Sequence, residues 1–276
     1  MPVPISGLSS IAHRYDAVLC DVWGVIHNGR ESFPAACEAL STYQAQRGPV
    51  VLISNAPRPA KAVHEQLDLL AVPRASWSGF VTSGDATRNL LSARAPGPVW
   101  ALGPERDSPL YEGLGLEFST LDEAAFICCT GLFDDTTETP EDYRERLTRA
   151  AARKLVFICA NPDRVVHRGD ELIFCAGALA DLYAELGGEV IMAGKPYPAT
   201  YELALFEAAK LAGKPIDRTR VLCIGDGIGT DVKGANNQGL DCLYISGGIH
   251  AAEGDADALL ARAGAQAAWS LAALVW

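Results

Sequence analysis

Nowhere in this chain does an apolar run approach the roughly 20 residues that a membrane-spanning helix needs, so no membrane association is expected. The opening stretch, MPVPISGLSSIAHRYDAVLC, has no long apolar core behind a basic start. It does not read as a secretory leader, and the expected location is the cytoplasm. Basic charge is in short supply: 23 Lys and Arg stand against 34 Asp and Glu, a net −11. A nucleic-acid partner would ask for a basic face, and this balance argues against one. An anionic substrate would have to find a local positive site within an acidic molecule. The eight cysteines (Cys20, Cys37, Cys128, Cys129, Cys159, Cys175, Cys223 and Cys242) include no CxxC pair and mostly sit inside apolar runs. That is the pattern of buried, reduced thiols acting as small hydrophobes. Internal repeats and low-complexity tracts are missing as well.

What the chain does have is 276 residues, 49% of them hydrophobic and 21% charged, enough for one large or two modest domains with a real core. Short apolar runs bounded by turn residues predict strands at AVLC (17–20), VVLIS (50–54), VWALG (99–103), AFICCT (125–130), LVFICA (155–160), EVIMAG (189–194), VLCIG (221–225) and DCLYIS (241–246). Between them the spacing predicts helices over 34–46, 58–70, 84–93, 140–153, 176–186, 198–212, 230–238 and 252–263. Ser32 opens the first of these, and Pro34, Pro140 and Pro198 fit helix first turns. Apolar strands alternating with helices make an α/β protein whose parallel sheet is covered on both faces.

The residues that carry chemistry sit at strand ends. Asp21 follows AVLC at a tight turn, where a carboxylate is a nucleophile, a metal ligand or a turn-former. VLCIGDGIGTD runs from a buried-type strand into Asp226 and Asp231 on a Gly-rich loop that opens a helix. Two carboxylates so placed suit a hard, oxygen-preferring cation such as Mg²⁺. Gly225, Gly227 and Gly229 superficially resemble a dinucleotide fingerprint, but the spacing is wrong and Asp226 would face a pyrophosphate. LISNAPR places Ser54 and Asn55 at another strand end, where a hydroxyl and neighbouring amides can hold phosphate oxygens. AGKPYP places Lys195 after a strand, where an ammonium can offset crowded carboxylates.

Taken together, Asp21, Ser54, Lys195 and GDGIGTD, in that order, resemble the four motifs of the haloacid dehalogenase (HAD) superfamily, over about residues 16–250. ANPD (160–163), AGALADLY (176–183) and the long insertion between the second and third motifs resemble its class IIA, NagD-like branch. The resemblance implies a Rossmann-like core of residues 1–83 and 190–276 with an α/β cap of the C2 type at 84–189 inserted over the site. It implies Mg²⁺-dependent hydrolysis of a small phosphomonoester: a sugar phosphate, a nucleotide monophosphate or a similar metabolite. Asp21 would be the nucleophile that forms an aspartyl-phosphate, which water then hydrolyses. The Asp21 carboxylate, the Trp23 carbonyl and Asp226 would hold the metal, with Asp231 orienting its waters or touching it. Ser54 and the amides of Gly24 and Asn55 would bind phosphoryl oxygens, and Lys195 would offset the negative charge. Asn161 and Asp163 would face the leaving group, and the loop 160–171, with Arg164, His167 and Arg168, would choose the substrate. A homodimer fits the resemblance.

Trp23 departs from the pattern. Most phosphatases resembling this chain carry at that position an Asp that protonates the leaving oxygen and then deprotonates water. Such catalysis is typically worth about 10²–10⁴-fold. An indole cannot supply it, because its N–H does not ionise near neutral pH. His27 is the nearest titratable residue that could stand in. Otherwise the substrate needs no acid, or the protein binds a phosphorylated ligand with little or no turnover. A fourth reading is a haloacid dehalogenase, which carries an aromatic residue there. The Asp226/Asp231 pair and the large insertion argue against it.

Overall fold

The computed structural model describes residues 1–168 and 171–276, with the backbone alone at 167 and 168. The strands are β1 (Val3–Pro4), β2 (Ala17–Cys20), β3 (Val50–Ser54), β4 (Gly79–Thr82), β5 (Val99–Leu102), β6 (Phe126–Cys129), β7 (Val156–Cys159), β8 (Val165–Arg168), β9 (Glu171–Phe174), β10 (Glu189–Met192), β11 (Val221–Gly225), β12 (Asp241–Ile245) and β13 (Trp269–Leu271). The helices are α1 (Pro34–Gln46), α2 (Ala60–Leu69), α3 (Ser83–Ser92), α4 (Arg144–Ala152), α5 (Ala176–Glu185), α6 (Pro198–Ala212), α7 (Lys233–Gln238) and α8 (Ala256–Ala263).

The chain divides into two compact units. The first contains residues 1–54, 64–81 and 195–276. Its seven-stranded sheet runs β1-β13-β12-β11-β2-β3-β4. Every residue of β2 and β11 is buried, as expected for parallel strands covered on both faces. β2 pairs in parallel with β3 on one side and β11 on the other, and β11 in turn pairs with β12. From β2 the chain proceeds outward to β3, whereas from β11 it proceeds outward to β12 in the opposite direction. The carboxyl ends of β2 and β11 therefore flank a topological switch point, the place where open α/β sheets bind ligands. Beneath it α6 lays Tyr201, Ala204 and Ala208 on Leu19, Val51 and Cys223. A Cβ on Gly234 would sit 2.1 Å from the Tyr201 hydroxyl, so α7 can approach α6 only as glycine.

The second unit contains residues 55–63 and 82–194. Its parallel sheet runs β10-β7-β6-β5, with α4 and α5 closing a core around Phe157, Leu147 and Tyr183. The β8–β9 pair forms a separate antiparallel hairpin. Two sequence-based expectations need correction here. The expected boundary between the insertion (84–189) and the core (from 190) cuts through β10, which pairs with β7 from Glu189 to Met192 and belongs to the second unit, extending to Gly194. The expected loop over 160–171 contains a strand, Val165–Arg168, because that stretch pairs with Glu171–Phe174. All eight cysteines are buried free thiols, as the apolar runs predicted.

Candidate active site

The β2 turn is built around its strand neighbour. The Asp21 N–H donates to the Ile224 carbonyl of β11 at 2.8 Å, which carries the parallel ladder one residue past Cys20 and fixes the nucleophile candidate at the strand tip. On β11, Gly225 must be glycine: a Cβ there would lie 2.2 Å from the Asp231 Cγ. The loop then widens into a π-helical turn, Ile228–Val232, in which Asp231 and Val232 both donate to the Gly227 carbonyl, at 2.8 and 3.1 Å. Single π turns of this kind often mark functional sites, because the extra residue re-aims a side chain. Here it turns Asp231 back toward the sheet.

Asp21, Asp226 and Asp231 are 7%, 4% and 3% exposed, and one carboxylate oxygen from each lies within 4.8 Å of the others. Lys195, 2% exposed, donates to Asp21 Oδ1 at 2.5 Å and to Asp231 Oδ1 at 2.7 Å. Asp231 Oδ2 accepts the Gly227 N–H at 3.0 Å, and Asp226 Oδ2 accepts the Ile249 N–H at 2.7 Å. Burial pulls the Lys195 ammonium down, but Asp21 and Asp231 outweigh it and hold the pKa above the ordinary value. Burial and the neighbouring Asp231 charge push Asp21 well above the ordinary carboxylate range. Burial, with the Asp231 charge second, pushes Asp226 up to about 6.

Ionising all three carboxylates against one ammonium leaves two negative charges in a buried site, the balance a divalent cation would meet. The donors are all oxygens, as a hard cation prefers. The surrounding backbone is shaped for close approach to Asp226. A Cβ on Gly24 (φ +84°) or on Gly248 would come within 2.1 Å of Asp226 Oδ2. The residues present therefore fit a divalent metal.

Several expected roles change in detail. The Gly24 N–H was assigned to a phosphoryl oxygen, but it donates to the His27 carbonyl at 2.8 Å, because the turn closes on itself. What the position supplies is the missing Cβ beside Asp226. His27 was the candidate alternative acid, and its surroundings argue against that role. It is 1% exposed, its Nδ1 accepts the Gly29 N–H at 3.1 Å, and burial lowers its pKa to about 4, so the imidazole is neutral near neutral pH. Trp23 is half-buried, with its ring edge-on to His27 at 5.2 Å between centroids. Ser54 ends β3, half-buried.

Asn55, Asn161 and Asp163 belong to the second unit and engage one another. Asn55 Nδ2 donates to Asp163 Oδ1 at 2.8 Å, and the Asp163 N–H donates to Asn161 Oδ1 at 3.1 Å. One oxygen of the Asp163 carboxylate is thus taken up by Asn55. Arg164 pairs with Asp181 of α5. The side chains of His167 and Arg168 lie outside the described residues. Sequence reasoning missed Gly248 and Ile249, which hold Asp226 from the loop after β12. The glycine pair in SGGIH, directly after an apolar strand, was the available signal.

A parallel core whose switch point carries a carboxylate after β2 and two more after β11, tied by a lysine, defines the HAD class of hydrolase. Comparison with known proteins agrees. Family profiles described as haloacid dehalogenase-like hydrolase and HAD-hydrolase-like match residues 18–117 and 192–274. The crystal structure of a hydrolase of the haloacid dehalogenase-like family from Brucella suis 1330 is 48% identical, covers 100% of both chains and superposes with a TM-score of 0.91. The chain belongs to the haloacid dehalogenase-like hydrolase family, among relatives of its NagD-like branch. The 5'-nucleotidase YutF of Bacillus subtilis (strain 168) is 26% identical over 239 residues, 85% of this chain and 88% of that protein. Glycerol phosphate phosphatase Rv1692 from Mycobacterium tuberculosis, crystallised in complex with magnesium, is 25% identical, with a TM-score of 0.64 over 85% of this chain and 69% of that one.

Proposed function

We propose that this hydrolase is a divalent-cation-dependent phosphatase that cleaves small phosphomonoesters through a phospho-Asp21 intermediate. The observation that carries the reading is the convergence of three buried carboxylates on one buried ammonium at the switch point. Relatives named as a 5'-nucleotidase and a glycerol phosphate phosphatase support the phosphomonoester class.

Asp21, Asp226 and the Trp23 carbonyl are the groups that would hold the cation, with Asp231 oriented beside them by Lys195 and the Gly227 amide. The cation, Mg²⁺ in our proposal, would neutralise the charge that builds on the transferred phosphoryl group. The chain's own residues do the rest. Lys195 keeps the Asp21 carboxylate beside a fixed positive charge, which favours its ionised, nucleophilic form. Ser54 binds a phosphoryl oxygen and helps hold phosphorus in line with Asp21. Attack by an Asp21 oxygen forms the acyl phosphate, and water then releases inorganic phosphate.

The test is hydrolysis of a panel of phosphate monoesters by wild type and Asp21→Asn, with Mg²⁺ and with chelator. Phosphate release that needs both Asp21 and the metal is expected. Release that survives in Asp21→Asn removes Asp21 as the nucleophile, and inertness on every ester removes the phosphatase reading itself.

A further inference from the structure

We propose that the reaction is restricted to phosphates whose leaving group departs unprotonated, namely acyl, enol and aryl phosphates, and that Trp23 is the residue that imposes this restriction. The inference rests on the phosphatase reading above and deepens it.

Trp23 is built into its turn. A Cβ on Gly29 (φ +84°) would lie 2.4 Å from the Trp23 Cη2, so the indole lies directly against the Gly29 backbone. The His27 ring stands edge-on to it, tilted 73°. The loop carrying both is closed by Gly24 N–H to His27 O at 2.8 Å and by Phe33 N–H to Ile26 O at 2.8 Å. The position two residues past Asp21 is thus occupied by an apolar group that the backbone was shaped to receive.

Among the described residues of the first unit, the titratable side chains Lys195, Asp226, Asp231, His27 and His250 each have partners. Lys195 donates to the nucleophile itself and to Asp231. Asp226 and Asp231 accept backbone N–H groups. His27 Nδ1 accepts from Gly29. His250 lies farther round, its Nε2 accepting the Ile228 N–H at 3.3 Å and its Nδ1 facing Glu253 at 2.8 Å. None of these arrangements presents an acid proton for a departing oxygen.

The chemistry follows. An Asp21 oxygen bonds to phosphorus, the bond from phosphorus to the ester oxygen breaks, and the electron pair leaves on that oxygen without a proton. A carboxylate, enolate or phenolate carries that charge; an alkoxide does so at great cost. In the second half, water bonds to phosphorus, the bond to Asp21 breaks with its electrons returning to the carboxylate, and the water proton ends on the phosphate product. With no base to take that proton during attack, this half is the slow one for activated substrates, so phospho-Asp21 accumulates.

The experiment uses wild-type protein with Mg²⁺, a graded series of substituted aryl phosphates, acetyl phosphate and glycerol phosphate, with quench-flow on 4-nitrophenyl phosphate. We expect kcat/KM to fall by about 10²–10⁴-fold from the nitrophenyl ester to the alkyl ester, the range a missing general acid accounts for. A burst of nitrophenolate, near one per protein, should precede steady turnover. In Trp23→Asp kcat/KM for the alkyl ester should gain roughly 10²-fold, and the nitrophenolate burst should disappear as the restored base speeds the second half. Should that variant fail to fold, the wild-type series decides alone. Alkyl and aryl esters within about tenfold of each other in wild type overturn the inference while leaving the phosphatase reading standing. Inertness on all of them, with or without Mg²⁺, overturns both.

Discussion

Asp226 is the residue whose surroundings make the sharpest quantitative statement. Its pKa in the folded chain is about 6, against an ordinary 3.8, so between those values it holds more protons folded than unfolded. That contribution to stability is therefore greatest at low pH and is lost as pH rises through the window. Metal-free Asp226→Asn, which keeps an acceptor for the Ile249 N–H, should exceed wild type in stability at pH 8 by roughly 1–3 kcal/mol, with the gap closing toward pH 4. Urea titrations in chelator at several pH values check this, and a gap that does not change with pH would refute it. Lys195 behaves oppositely. Removing one partner of a buried ion cluster leaves charge uncompensated, so Lys195→Met should cost about 3–5 kcal/mol, measured in the same titrations at pH 8. A loss below about 1 kcal/mol would mean that the cluster contributes no more than a surface pair.

At the scale of elements, the long apolar and helical-period segments were legible in the sequence and the short or context-dependent ones were not. α1 and α6 begin and end where Pro34, Pro198 and the periodicity placed them. The helix read over 140–153 begins with a 3-10 turn at Pro140–Tyr143 before α4. β4 was missed because GFVT is only four residues and opens on a glycine, whose reason is tertiary: a Cβ on Gly79 would sit 2.9 Å from Leu211 Cδ1 of α6. β1 and β13 were missed because two- and three-residue strands exist only through pairing with each other and with β12. The site was legible because strand-end carboxylates and glycines are local signals. The fate of Gly24, His27 and Asp163 was not, since hydrogen bonding across turns decides it. α3 offers an element-level check. Thr82 caps it, accepting the Asp85 N–H at 3.1 Å while the Asp85 carboxylate accepts the Thr82 N–H at 2.9 Å. Thr82→Ala should destabilise by about 1 kcal/mol, seen as a lower urea midpoint; no change would show that the cap is redundant.

For the whole molecule, the cation becomes a stability term. No helix among the described residues is long and apolar enough to cross a membrane. Binding of Mg²⁺ to the folded state alone at 100 times its Kd should add about 2.7 kcal/mol. A rise in Tm with Mg²⁺ at pH 8 is expected. It should shrink below about pH 6, where the proton on Asp226 competes with the cation, and be missing in Gly24→Ala, whose Cβ would intrude on Asp226. A Tm indifferent to Mg²⁺ at pH 8 would contradict the metal assignment.

The position of β2 between β3 and β11 also has a consequence for synthesis on the ribosome. β2 ends at Cys20 and β11 begins at Val221, about 200 residues later. At translation speeds of about 5–20 residues per second, that interval lasts roughly 10–40 s. Throughout it, an emerging β2 that has already paired with β3 still presents its other edge, a row of unpaired N–H and C=O groups that is a template for pairing with another chain. The residues 82–194 are complete before that edge can be covered. The strand that carries Asp21 is thus sealed on its second edge only after that wait, and the nascent chain stays exposed there to mispairing and to chaperone capture until Val221–Gly225 has left the exit tunnel.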